Sequence, residues 1–151
     1  MGRILSVVVD CADPEVSSRF WRTLLGYRRL YDDVGPGGTD WVTIGEPADP
    51  ANRVSFQRVE DYRAPTWPTG PRPQQLHLDL EVADLAEADE RARAAGARPL
   101  AEAVVHEDET YRVYADPDGH PFCLVQRLLT ADAPQASQQQ GDDGGDEERH
   151  D

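Results

Sequence analysis

Apolar and polar residues alternate in two widely separated stretches of the chain. In the later one, Leu76, Leu78, Leu80 and Val82 fall on one face, and His77, Asp79 and Glu81 on the other. This is the two-residue period of a half-buried strand over 75–82. The earlier one predicts a strand over 4–11, rich in Val7, Val8 and Val9. Each is followed by a helix signal. Asp13-Pro14 offers an N-cap and a first-turn proline, Phe20, Trp21, Leu24 and Leu25 an apolar face, and Gly26 a stop. Asp84 and Gly96 bracket a second helix over 84–95 in the same manner. Further strands are predicted at 27–33, 40–45 and 53–59, then at 98–106, 110–115 and 121–126. Gly35-Pro36-Gly37-Gly38, Glu46 to Pro50 and Asp116-Pro117-Asp118-Gly119 mark turns between them. The order βαβββ therefore occurs twice.

The two copies are offset by about 70 residues, longer than a solenoid unit. Leu5 to Asp13 lines up with Leu76 to Asp84, and Gly26 to Leu30 with Gly96 to Leu100. The modules span about 3–60 and 74–127, joined by a proline-rich linker from Asp61 to Pro73 that contains Tyr62 and Trp67. The expected domain covers 1–129. From Thr130 onward there is no aromatic or large aliphatic residue, and seven acids face one arginine. Such a segment cannot bury enough apolar surface to offset its ordering entropy, so 130–151 is expected to be a disordered acidic tail.

Charge narrows the function classes. Of 151 residues, 29 are Asp or Glu and 15 are basic, a net charge of −14. A nucleic-acid or anionic-membrane partner is disfavoured on this balance. All 15 basic residues are arginine, which removes Schiff-base and P-loop lysine chemistry. No apolar run reaches the roughly 18 residues of a membrane span. Two cysteines, Cys11 and Cys123, are too few for a disulfide framework, and a cytoplasmic, reduced protein is expected.

Asp13-Pro14 with Phe20-Trp21 and Leu24-Leu25-Gly26, and Asp116-Pro117-Asp118-Gly119-His120-Pro121-Phe122, resemble the vicinal-oxygen-chelate superfamily. That superfamily includes glyoxalase I, extradiol dioxygenases and bleomycin-resistance proteins. The linker Pro65-Thr66-Trp67-Pro68 and the strand from Gln74 to Asp79 are similar to its actinobacterial glyoxalase-like subgroup. The likeness covers 3–127. It implies an α+β fold in which two paired βαβββ modules form a half-open barrel, helices outside and a ligand cup inside. The modules could pair within one chain or across a homodimer.

The resemblance also implies four metal-ligand positions, which map to Ser6, Gln57, His77 and Cys123. Only His77 keeps a strong donor, while Ser6 and Gln57 are neutral and Cys123 stands where a Glu is usual. No cofactor is expected, with a divalent metal as the alternative. His77 is also the candidate catalytic residue should the protein be a lyase, isomerase or dioxygenase. Cys123 has an inert reading too, as a small hydrophobe between Phe122 and Leu124. Trp41, Trp67 and Tyr111 are candidate stacking walls for a flat ligand, with Tyr62 beside them. Gln57, His77, Asp79, Arg112 and Cys123 are its candidate polar contacts. The expected function is binding of a small aromatic or heterocyclic metabolite or drug. A non-catalytic accessory role is the remaining alternative.

Overall fold

Asp13 and Asp84 begin the two helices found among the described residues in the same way. In the computed structural model, which describes residues 2–128, each aspartate is extended. Its carboxylate accepts from a first-turn backbone N–H, that of Glu15 in one case and Glu87 in the other, at 2.9 Å. Gly26 and Gly96 close the helices in left-handed conformations, with φ of 72° and 112°. The first module runs β1 (Val7–Cys11), α1 (Pro14–Leu25), β2 (Arg28–Gly35), β3 (Gly38–Glu46) and β4 (Asp49–Arg58). The second runs β5 (Leu78–Glu81), α2 (Leu85–Ala95), β6 (Arg98–Pro99), β7 (Val104–Val105), β8 (Glu109–Ala115) and β9 (Pro121–Arg127). The tail expected at 130–151 lies outside the described residues.

The modules share one topology. The first sheet is ordered β1-β4-β3-β2, the second β5-β9-β8-β6 with β7 also on β8. In each sheet the first strand pairs parallel with the last, Val7 opposite Val54 and Leu78 opposite Phe122. The remaining pairs are antiparallel. This is the mixed α+β architecture expected from the sequence.

Several boundaries differ from expectation, β4 among them, which begins at Asp49 rather than Arg53. The first strand begins at Val7 rather than Ile4, because Ile4 and Leu5 have nothing to bury against and remain exposed. β5 begins at Leu78, and Leu76, predicted on the core face, is also exposed. The strand expected over 98–106 is two short pieces. Pro99 has no N–H to donate, and the Ala101 carbonyl accepts from Arg112 Nε at 2.9 Å instead of from a ladder.

One core joins the modules. Phe20 and Trp21 of α1, Val42, Ile44 and Phe56 of the first sheet, and Tyr114, Phe122 and Leu124 of the second belong to a single buried cluster. The Phe122 ring lies 5.1 Å from Trp21, 5.8 Å from Phe20 and 5.5 Å from Tyr114. Removing such a ring costs about 3–5 kcal/mol. Because side chains alternate, the sheet faces turned away from this core carry the remaining residues.

The β8–β9 turn fastens the first module to the second. Buried Asp116 accepts from Trp21 Nε1 at 3.0 Å, from the backbone of Asp118 at 3.0 Å and from that of His120 at 2.8 Å. Asp118 accepts from Ala12 N at 3.2 Å and from the Ser17 hydroxyl. Tyr62, in the linker, donates to the Asp118 carbonyl at 2.9 Å and lies 3.1 Å from His120 Nε2. Gly119 has φ of 91°, and a Cβ there would come within 2.7 Å of the Ala64 Cβ. Only glycine lets the linker approach this closely.

Candidate functional site

On the first sheet, the face away from the core bears a chain of polar side chains running across β3, β4 and the segment just before β1. The Trp41 indole donates to Thr43 Oγ1 at 2.8 Å. Thr43 and Ser55 hydroxyls lie 2.9 Å apart, and Ser55 and Ser6 hydroxyls 2.7 Å apart. Ser6 Oγ then reaches the carbonyls of Val7 at 3.2 Å and Arg53 at 3.3 Å. The period-two geometry of β3 and β4 produces this line, since Trp41 and Thr43 alternate onto the same sheet face as Arg53 and Ser55, with Thr43 directly opposite Ser55. The cavity here has a volume of about 710 Å³, and Tyr31, Arg53 and Glu46 also line it. Arg53 Nε is buried and meets no acceptor.

The corresponding face of the second sheet is charged. Its cavity, about 500 Å³, is lined by His77, Asp79, Tyr111 and Cys123, with His106 and Glu109 beside them. Asp79 lies opposite Cys123 in the ladder, and His77 Nε2 is 3.4 Å from Asp79 Oδ1. One donor atom from each of His77, Asp79 and Cys123 falls within 4.8 Å of the others. The Cys123 thiol is pushed up to about 12, first by burial, then by its hydrogen bond to Asp79 and the charges of Asp79 and Glu109. It is therefore a neutral thiol near pH 7, not a ready nucleophile. The His106 ring stacks on Tyr111, 5.7 Å away at 23°.

A third cavity, about 580 Å³, opens between the unpaired edges of β1 and β5. Gln57 and His77 both line it, as do Arg63, Arg72 and His120. Burial alone would lower the His120 pKa. The hydrogen bond and charge of Asp116 outweigh burial and hold it above the ordinary histidine value.

The structure thus gathers His77, Asp79, Tyr111 and Cys123, and places Trp41 with Ser6 on the other sheet. Gln57 lies in the cleft, and half-buried Trp67 stays in the linker beside the Thr66–Pro73 bridge, lining none of these three cavities. Arg112 is a correction. It points to the helix side of β8, where its guanidinium lies 3.5 Å from Asp89 on α2 and 3.5 Å from Glu102. Tyr111 and Arg112 are neighbours on one strand, so they cannot line one wall. The same parity, counted from Trp41 and Gln57, would have found Thr43, Ser55 and Arg53, which sequence reasoning missed. His106, exposed in the connection between β7 and β8, also lines the second-sheet cavity.

The four implied ligand positions do not fit a four-ligand metal centre. Ser6 is committed to the hydroxyl chain on the first sheet, Gln57 lies in the cleft, and only His77 and Cys123 share the second-sheet cavity. The set that does converge, His77, Asp79 and Cys123, offers three donors, one of them a protonated thiol. A divalent ion would have to displace that proton before Cys123 could ligate.

Two βαβββ modules around a shared core, with cavities on the outward sheet faces, define the glyoxalase/bleomycin-resistance fold, and solved structures agree. A glyoxalase/bleomycin resistance protein/dioxygenase family enzyme from Burkholderia phytofirmans PsJN superposes with a TM-score of 0.63 at 13% identity, covering 84% of this chain and 100% of that one. TnmS3, an antibiotic binding protein from Streptomyces sp. CB03234, does so with a TM-score of 0.56 at 21% identity, covering 85% and 98%. The fosfomycin resistance protein FosX from Listeria monocytogenes gives 0.63 at 12% identity, covering 85% and 96%. The model of the glyoxalase-like domain family matches residues 6–125, and the chain belongs to that family. Among curated proteins none matches the sequence significantly. No helix among the described residues is long and apolar enough to cross a membrane.

Proposed function

We propose that this protein binds and holds a small planar organic molecule, without a metal, on the outward face of its first sheet. The observation that carries this reading is the 710 Å³ cavity in which the Trp41 indole is fixed by Thr43 and flanked by Tyr31. An indole held by its N–H presents a rigid apolar surface at little entropic cost, as a stacking wall requires. That TnmS3, of like fold, is described as an antibiotic binding protein supports the same class of activity. A second copy of the chain would close the cavity. Edge strand β2 leaves Leu30, Tyr31 and Val34 exposed, and β7 exposes Val105. Cys11 and Cys123 are free thiols, in keeping with a reducing compartment such as the cytoplasm.

The test is a tryptophan-fluorescence and thermal-shift screen of the full chain against planar aromatic compounds. Binding that saturates, and that Trp41→Ala abolishes, supports the reading. Saturable binding untouched by Trp41→Ala moves the site elsewhere. Light scattering on the same sample reports whether the chain is a dimer.

The convergence of His77, Asp79 and Cys123 favours a second reading, a metal-dependent enzyme of the same fold. Elemental analysis of the purified protein decides it. About one zinc, nickel, iron or manganese per chain would replace the metal-free reading.

A further inference from the structure

The hydroxyl chain on the first sheet has only one arrangement of protons that satisfies all its members. An indole N–H can donate and cannot accept, so Thr43 Oγ1 accepts from Trp41. The Thr43 hydrogen has one acceptor within reach among the described residues, Ser55 Oγ. The Ser55 hydrogen must then go to Ser6 Oγ, and the Ser6 hydrogen to a carbonyl, that of Arg53 or Val7. Running the chain the other way would leave the Thr43 O–H unsatisfied. Thr43 is 8% exposed and Ser55 1%, and an unmade hydrogen bond in such a place is costly.

Every hydrogen in the chain is therefore consumed. What Ser6, the partly exposed end, still offers the cavity is a lone pair. The complementary feature is the Arg53 guanidinium, which lines the same cavity and whose terminal N–H groups can donate to a ligand there. Arg53 and Glu46 line the same cavity, so their charges offset and neither sign of ligand is favoured.

We infer that this cavity takes a neutral planar phenol that also carries a carbonyl. The phenol hydroxyl donates to Ser6 Oγ, the carbonyl accepts from Arg53, and the ring lies against Trp41. Trp41 is at once the stacking wall and the positioning residue that makes Ser6 an acceptor. This inference rests on the small-molecule reading above and names the ligand class that reading leaves open.

Three probes test it by calorimetry at about pH 6, where a phenol keeps its proton. Umbelliferone has both the hydroxyl and the carbonyl, its O-methyl ether lacks the donor, and naphthol lacks the carbonyl. Umbelliferone is expected to bind about tenfold more tightly than either of the others, the equivalent of one good hydrogen bond. Ser6→Ala should erase its advantage over the ether, and Arg53→Met its advantage over naphthol. Trp41→Phe keeps a ring but frees the proton order, so both coumarins should still bind while the preference between them shrinks. A merely structural role for Trp41 would weaken both equally. Each variant is first matched to the parent by its melting temperature, and Glu90→Ala, exposed on α2 and away from every cavity described, serves as the folded control for site location. If all three probes bind alike, or the preference survives Ser6→Ala, the inference falls while the small-molecule reading stands. If none of the three binds, both fall for this face.

Discussion

The Trp21 indole on α1 donates to the buried Asp116 carboxylate in the β8–β9 turn at 3.0 Å, joining residues that are 95 positions apart. Asp116 has no solvent contact through its side chain, and its acceptor sites are filled by Trp21, by two backbone N–H groups of its own turn and by His120. The carboxylate thus organises the turn and anchors the first helix with the same two oxygens. A buried charge is tolerated only when it is satisfied in this way.

Trp21→Phe should therefore destabilise the protein by more than the loss of packing alone. The ring still fills most of the volume, but Asp116 loses one charge-assisted hydrogen bond, worth about 1.5–3 kcal/mol. Chemical denaturation of parent and variant measures the difference. A cost below about 0.5 kcal/mol would mean that water or a turn shift replaces the indole.

His120 gives this junction a pH dependence. Its pKa is raised in the folded state, chiefly because Asp116 outweighs the penalty of burial, with Asp118 adding to the effect. The folded protein thus holds a proton that the unfolded chain releases near the ordinary histidine value of about 6.5. The stabilisation is complete below that pH and is lost as pH rises through the folded-state pKa. In the charged form Nδ1–H donates to Asp116 and Nε2–H to the Tyr62 oxygen, which itself donates to the Asp118 carbonyl. Melting temperatures measured from pH 6 to pH 9 should fall more steeply for the parent than for His120→Gln (pH values spanning about the histidine range). Parallel curves would remove His120 from the account.

Cys123→Glu should create a divalent-metal site on the second sheet. The new carboxylate would stand opposite Asp79 and beside His77, replacing a protonated thiol with a charged oxygen donor. Two adjacent carboxylates repel each other until a cation joins them, so nickel or zinc should raise the melting temperature of this variant far more than that of the parent. His77→Ala in the same background should cancel the gain. Ser6→His should add little, because Ser6 lies in the first-sheet cavity.

Removing residues 130–151 should leave the melting temperature within about one degree of the full chain, since the segment has no apolar side chain able to anchor it. A fall of several degrees would show that it docks on the domain.

Much of this architecture was legible in the order of signals along the chain. Asp13-Pro14 and Gly26, with Asp84 and Gly96, mark helix limits because caps and left-handed stops are local chemistry. The alternation around His77 correctly paired it with Asp79 on the face away from the core. Site composition was harder to read. The charge of Arg112 suggests a site role, but its strand parity against Tyr111 turns it to the helix side, beside Asp89. Arg53, Thr43 and Ser55 give no local signal, because an arginine or a short hydroxyl residue in a strand looks like an ordinary solvent-facing position. Their role appears only when β3, β4 and the segment before β1 are laid side by side, which depends on a parallel pairing between the first and last strands of a module that no local pattern encodes.

That parallel pairing also sets a timetable for synthesis. Each sheet needs its first strand to wait for its last, so neither can close as a string of hairpins grows. The first module has all its strands once Arg58 has been made, before any residue of β5 exists. On the ribosome it can assemble once β4 has left the exit tunnel, while the second module is still being translated. The second module then emerges beside a preformed Phe20–Trp21 surface, and the Asp116 turn, arriving almost last, closes the join. A chain stalled within β8 would carry a finished first sheet and an exposed aromatic helix face, a natural point of recognition for chaperones and proteases.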